Sequence, residues 1–277
     1  MKTILIIIGG MADISDWATE GKTPLMLAST PSLDSLAKVG CCGTIRTVPD
    51  GAPVTTEAAM LTLLGYDFER GVPSRRALET FGCGFEPVDN ALRYFIVPKF
   101  SGHGVVISDS PLARGVGRMA LMRPYIPIDD DGMPVRFPLE YQAQVAVKAI
   151  ESYDFVLMYV GLPHERSLAG DLDGKIEALE RIDRELITPV ADYVWNSKFQ
   201  MNLVVTGDHV SSWRKRCIVP GEVPAVVYFN DDLPYDTGGF NEESVVDGPL
   251  NAPLPGDLIK RLISFEPFID DPSTPTV

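Results

Sequence analysis

The chain is predicted to fold as an α/β protein, with a mostly parallel sheet between two helical layers and an inserted subdomain. Three observations point there. Short apolar runs rich in β-branched residues, at 4–8, 155–160 and 203–205, read as strands buried on both faces. Segments with helical spacing of apolar residues lie between them. Glycine or polar residues follow the strands directly, as at Gly9-Gly10 and Gly207-Asp208-His209, and in such sheets ligands gather at the carboxyl ends of strands.

In chain order, the run 4–8 is the first strand and 9–13 the expected site edge. Thr23-Pro24 opens a helix and 31–38 forms a second, before a short strand at 43–48. In the stretch 54–67, Thr55 and Thr56 precede an alanine- and leucine-rich helix that Gly65 ends. A hydroxyl there sits beside backbone N–H groups and the positive dipole end, which favour a phosphoryl group. Equally, Thr56 is simply an N-cap, with Glu57 favourable in the first turn.

Residues 68–153 change texture, with strand-like pieces at 92–97 and 105–108 among prolines, glycines and arginines. They are expected to form an inserted α+β cap between core segments 1–67 and 154–265. Arg75, Arg76, Arg93, Arg114, Arg118 and Arg123 form an anion clamp or a solvated surface. A helix over 139–150 follows, then a strand at 155–160. A long helix over 171–195 carries Ile176, Leu179, Ile182, Leu186, Val190 and Val194 on one face. Strands at 202–206 and 223–229 and a helix at 258–263 complete the pattern, and 266–277 reads as a frayed tail.

The 277 residues suffice for one elaborated domain or a domain with an insert. A formal net charge of −14 argues against nucleic-acid or anionic-membrane partners, because phosphate contacts need clustered Lys and Arg. An anionic substrate then needs a local basic pocket. Four cysteines without CxxC spacing suggest a reducing, cytoplasmic setting. Cys41 and Cys42, on a strand, point to opposite faces. The apolar run after Lys2 is too short for a signal peptide, and no segment is long enough to span a bilayer. The sequence leaves the oligomeric state open, a homo-oligomer included.

Asp208-His209, after an apolar strand, supplies a carboxylate and an imidazole for one divalent cation, or a helix cap with a surface histidine. His164-Glu165 is a second polar cluster; Asp171 and Asp173 fit better as helix N-terminal acids. With three histidines in all, a histidine-rich dinuclear site cannot be built.

Together these pieces resemble the archaeal-type cofactor-independent phosphoglycerate mutases of the alkaline phosphatase superfamily, along nearly the whole chain. Gly10-Met11-Ala12-Asp13 is similar to the end of that family's D-G-M-A-D, and residues 21–25 reproduce its G-K-T-P-L. Thr56-Glu57 through Asp67 follow S-D-V-A-N-L-S-L-L-G-Y-D. Arg75 and Leu78-Glu79 match G-R-G-P-L-E-A, residues 89–97 match D-V-A-F-R-C-N-L-V, and residues 115–119 match the segment returning from the cap. Gly174-Lys175 matches the start of a G-K helix, and Thr206 to His209 match T-x-D-H.

The resemblance implies a three-layer alkaline-phosphatase-like core with a shortened cap. It implies a small phosphorylated metabolite as substrate, Thr56 as the phosphorylated hydroxyl, and Arg75 and Arg93 on the substrate side. Asp208, His209 and His164 would be metal ligands. The family's two cations, commonly manganese or zinc, flank the nucleophile and stabilise the transferring phosphoryl.

The departures concentrate on that clamp. Gly9 stands for one aspartate, His164 for another, and Leu168 and Ile218 for histidines; Met60 replaces an asparagine. Leucine and isoleucine cannot ligate a metal, so at most one metal site is expected. The alternative is a catalytically inactive paralogue that binds a ligand or partner. A small-molecule kinase is disfavoured by the absence of a Gly-rich phosphate loop.

Overall fold

The computed structural model describes residues 2–68, 71–86, 92, 96, 103–133, 135, 138–229, 238–250 and 258. Its strands are β1 (Lys2–Ile8), β2 (Cys41–Ile45), β3 (Gly104–Ile107), β4 (Arg123–Tyr125), β5 (Phe155–Val160), β6 (Met201–Gly207), β7 (Val210–Ser212), β8 (Cys217–Val219) and β9 (Val223–Phe229). The helices are α1 (Pro24–Leu27), α2 (Pro31–Val39), α3 (Thr56–Leu63), α4 (Arg75–Gly82), α5 (Pro111–Met119), α6 (Leu139–Ser152), α7 (Leu162–Ala169), α8 (Leu172–Ile182) and α9 (Thr188–Trp195). Seven strands form one sheet in the order β2-β9-β6-β1-β5-β3-β4, and β7 and β8 make a separate hairpin.

β1 is central, parallel to β5 on one side and β6 on the other. Leu5 and Ile7 face one layer with α3, α4 and α5, while Ile4, Ile6 and Ile8 face the other with α2, α6, α8 and α9. A strand covered on both faces has no solvent side, which is why its sequence runs apolar without alternation. Cys41 and Cys42 divide between the same two layers, as side-chain alternation requires. The expected three-layer α/β core is present.

Several boundaries differ from expectation. β3 pairs in parallel with β5, and β4 with β3, so residues 104–107 and 123–125 belong to the central sheet rather than to an inserted cap. α4 and α5 pack on the same core. Within 68–153, β3 thus finds its partner about fifty residues on, in β5, and β4 joins the sheet through β3. β9 runs antiparallel to both β6 and β2. The expected pieces at 92–97 and 258–263, and the tail 266–277, lie largely or wholly outside the described residues.

At the sheet margins, Pro124 sits in β4 opposite Val106, and Leu250 N donates to Cys42 O of β2 at 2.7 Å.

The long helix expected over 171–195 is interrupted by a π-helical turn, Asp183–Ile187. The turn gives Asp183 a task outside its own helix: its carboxylate accepts from Ser32 N at 3.1 Å and Leu33 N at 2.8 Å. These N–H groups open α2, whose N-cap Thr30 supplies no side-chain bond. Burial pushes the Asp183 carboxyl up, and the two N–H donors oppose that shift. Asp183→Ala is expected to destabilise the fold by about 1.5–3 kcal/mol, the range for hydrogen bonds to a charged group. Urea denaturation measures it; a loss under about 0.5 kcal/mol would show that water caps α2 as well.

Candidate active site at the carboxyl ends of three parallel strands

The neighbouring strands β5, β1 and β6 end beside one another, and the segments leaving them interlock. After β1, Gly10 has φ +68°, a conformation glycine adopts without strain. A Cβ there would also lie 2.6 Å from His164 Cα. Gly10 N donates to Asp208 Oδ1 at 2.8 Å, and His164 N donates to Gly9 O at 3.0 Å. The ends of β1 and β6 and the start of α7 thus share one edge.

α3 arrives opposite. Thr55, not Thr56, is its N-cap, accepting from Ala58 N at 3.3 Å. That leaves the Thr56 hydroxyl, on the first helical residue, free to face the strands. Thr56 Oγ1 lies 3.0 Å from His209 Nε2, which is 3.2 Å from Asp208 Oδ2. On the ring's other side, Ser211 Oγ is 3.0 Å from His209 Nδ1 and 2.8 Å from His164 Nδ1. Thr56, His209, Ser211 and His164 therefore form a continuous polar chain, with the two imidazoles edge to face at 4.8 Å. At the far end Gly65, φ 76°, closes α3 as expected, with Tyr66 N donating to Leu61 O at 3.0 Å.

Three participants were given no role by the sequence. Tyr159, inside the apolar run of β5, donates from its hydroxyl to Asp208 Oδ2 at 3.5 Å and shares a hydrogen bond with Thr56. Burial, and then the Asp208 charge, push its phenol well above the ordinary range, so it stays protonated. Lys175, fully buried, donates to Asp13 Oδ2 and Ser211 O, each at 2.8 Å. Asp13 thus serves the floor of the site rather than its reacting edge. Glu242 accepts from Asp13 N at 2.9 Å and from the Thr23 hydroxyl at 2.7 Å; burial raises its carboxyl above the ordinary value. Only the single polar atom of β5, and a lysine on an otherwise apolar helix face, hinted at the first two.

Of the expected site residues, the structure brings Thr56, Asp208, His209 and His164 together. Arg75 pairs with Glu79 at 2.8 Å on the surface, and its charge bears on His164 and Tyr159. Arg93 lies outside the described residues. Arg114 and Arg118 spend their guanidinium groups on backbone carbonyls of Gly82 and Phe81, which ties α5 to α4.

His164 is pushed down from 6.5 to about 4, by burial first and then by His209. Between those values the unfolded chain holds the extra proton, so unfolding free energy should rise with pH from about 4 to 6.5 and level off above. The ring is partly exposed, which keeps the slope below one full proton. His164→Gln should flatten it in urea titrations across that window; an unchanged slope would assign the dependence elsewhere.

Fold and site together define the class: a three-layer α/β protein with a hydroxyl, an imidazole and a carboxylate gathered at one sheet edge. Residues 1–230 match the model of the Metalloenzyme superfamily, and the chain belongs to that family. It is 38% identical over 94 residues to 2,3-bisphosphoglycerate-independent phosphoglycerate mutase 2 of Methanothermobacter thermautotrophicus, covering 34% of this chain and 23% of that protein. It is 26% identical over 198 residues to 2,3-bisphosphoglycerate-independent phosphoglycerate mutase of Methanosarcina mazei, covering 70% and 48%. The chain thus spans less than half the length of these curated relatives.

Among solved structures, the PH0037 protein from Pyrococcus horikoshii superposes with a TM-score of 0.77 at 22% identity, covering 94% of this chain and 97% of that one. Cofactor-independent phosphoglycerate mutase from Thermoplasma acidophilum superposes with a TM-score of 0.67 at 16% identity, covering 94% and 98%. Both likenesses concern the fold.

Among the described residues, the side chains at this edge do not supply donors for a pair of cations. Among the described residues no cluster of three or more His, Cys, Asp or Glu side chains is arranged to hold a metal ion. Leu168 is exposed on α7, and Ile218 lies opposite Ser211 in the β7–β8 hairpin. One cation fits the donor types better: a carboxylate oxygen of Asp208, Nε2 of His209 and the hydroxyl of Thr56.

Proposed function

We propose that this protein is phosphoglycerate-mutase-related and transfers the phosphoryl group of a small phosphorylated metabolite through Thr56, with at most one divalent cation, manganese or zinc. The observation that carries this reading is the 3.0 Å contact between Thr56 Oγ1 and His209 Nε2 at the start of α3. A threonine hydroxyl is a weak nucleophile until a base or a cation takes up its proton's charge. The first turn of α3 presents the positive end of its dipole to the phosphoryl oxygens.

In the transfer, the Thr56 Oγ–P bond forms as the ester P–O bond of the donor breaks. Where no cation occupies His209 Nε2, the hydroxyl proton passes to His209 and on to the departing alkoxide; reversal onto another hydroxyl completes a mutase cycle, and onto water a phosphatase cycle. A bound cation would be held by Asp208, His209 and Thr56 and would supply charge neutralisation at the phosphoryl oxygens. Arg75, whose surface ion pair with Glu79 is cheap to break, is the cation proposed to meet the anionic substrate, together with Arg93.

Incubation with 3-phosphoglycerate followed by intact-mass analysis tests the reading. A phosphoryl adduct is expected on the wild type and none on Thr56→Ala. Turnover equal in the two proteins, with no adduct, would sink it. Chelation by EDTA then separates the two roles of His209: loss of the adduct makes it a ligand, and an adduct that survives makes it the proton acceptor.

A second reading is favoured by Tyr159. Asp208 is already met by Gly10 N, His209 N, His209 Nε2 and the Tyr159 hydroxyl, and Thr56 is only 3% exposed. In that reading the protein is a ligand-binding paralogue that binds a phosphate ester without turning it over.

A further inference from the structure

Gly9 and Gly161 face the same object from two sides. A Cβ built on Gly9 would lie 2.5 Å from Tyr159 Oη and 2.9 Å from its Cζ, and one on Gly161 would lie 3.1 Å from Oη. The two glycines leave a slot at the end of β1 and the start of α7, and the Tyr159 ring fills it. In register, Tyr159 sits beside Ile7 of β1, so its phenol reaches past the end of the strand to where Gly9 begins the turn. Any side chain at position 9 would have to occupy the space of that phenol.

The hydroxyl also engages the carboxylate of the candidate cation site. Asp208 Oδ1 is held by two backbone N–H groups at 2.8 and 2.7 Å. Oδ2, the oxygen left to face a cation, has Tyr159 Oη at 3.5 Å and His209 Nε2 at 3.2 Å. A neutral donor here does part of what a cation would do for a buried carboxylate, without adding charge.

We propose that Tyr159, seated between Gly9 and Gly161, sets the metal content of this site: its ring fills the volume a further protein ligand at position 9 would need, and its hydroxyl caps the Asp208 oxygen. The mismatch between a metalloenzyme family and a site with only Asp208, His209 and Thr56 as donors is then a specific exchange of a cation's surroundings for a phenol. This rests on the reading that Asp208 and His209 face the cation, and is independent of turnover.

Zinc alone is the probe, titrated by calorimetry into the 277-residue chain. Gly9→Asp paired with Tyr159→Ala provides both the ligand and its room, and should bind zinc at least about tenfold tighter than the wild type, the scale on which a ligand's surroundings tune a metal site. Gly9→Asp alone should gain nothing and lower the melting temperature, since its Cβ meets the phenol. Tyr159→Phe keeps the ring and frees Oδ2; it should tighten zinc severalfold, and it decides the matter if the double variant does not fold.

Tyr159→Phe and a folded double variant that bind no tighter than the wild type would overturn the proposal, as would two tightly bound zinc ions in the wild type. Asp208→Asn tells the two failures apart. Wild-type zinc binding that survives Asp208→Asn removes the cation-site reading itself, whereas binding lost in Asp208→Asn but not improved by either variant removes only the role of Tyr159.

Discussion

Lys175→Met should lower the unfolding free energy by about 3–5 kcal/mol, the cost of stranding one half of a buried ion pair. Lys175 Nζ and the Asp13 carboxylate are both fully buried and 2.8 Å apart. The ammonium spends further hydrogen bonds on Ser211 O at 2.8 Å and Ala12 O at 3.4 Å. Burial depresses its pKa, and Asp13 opposes that shift. Methionine fills much of the lysine's volume but leaves Asp13 charged, with Trp213 N at 3.1 Å and Ile14 N at 2.8 Å as its remaining donors. Adding Asp13→Asn should recover part of the loss, because a neutral amide is cheaper to bury. Urea titration measures both; a loss below about 1 kcal/mol would mean that water replaces the ammonium. Since Ser211 also touches both imidazoles, Lys175→Met should disturb His209 without contacting it.

Gly115→Ala should have an effect of similar size for a steric reason. α4 and α5 cross at Gly82 and Gly115: a Cβ on Gly115 would lie 2.0 Å from Leu78 O, and one on Gly82 would lie 1.8 Å from Pro111 O. The obstacles are backbone atoms, so no rotamer change relieves them, and the helices must separate. We expect a loss of roughly 3 kcal/mol or more, at the upper end of overpacking costs, read from thermal unfolding. Gly82→Ala should cost about as much, and the double change less than the sum, because helices already pushed apart accommodate the second methyl. An additive pair would show that the two glycines act at separate contacts.

The strands buried on both faces were legible because burial leaves a local mark: residues 4–8 of β1 and all of β5 read as apolar runs, and the observed β5 coincides with the expected 155–160. Gly65 marked the end of α3 for an equally local reason, its positive φ. What was not legible depends on partners distant in the chain. β3 and β4 have four and three residues, too few for a period, and only pairing through β5 makes them part of the sheet. The π-turn at Asp183 has no sequence signature and is explained by the helix it caps across space. In the site, the residues leaving the strand ends were visible as polar breaks. Tyr159 was hidden because one polar atom on a long side chain does not disturb an apolar pattern, and Lys175 was marked only as part of a matching motif, with no role; the significance of both rests on Gly9 and Asp13, remote in sequence.

The two margins of the sheet bear on how copies of this chain can meet. β4 carries Pro124, which has no N–H to offer a neighbouring strand, and it ends after three residues. The outward Cys42 carbonyl of β2 is already taken by Leu250 N. Neither margin offers another copy a clean ladder to extend, the usual route by which exposed edges nucleate runaway strand addition. Among the described residues, self-association through these two margins would have to rely on side chains rather than on a shared backbone ladder.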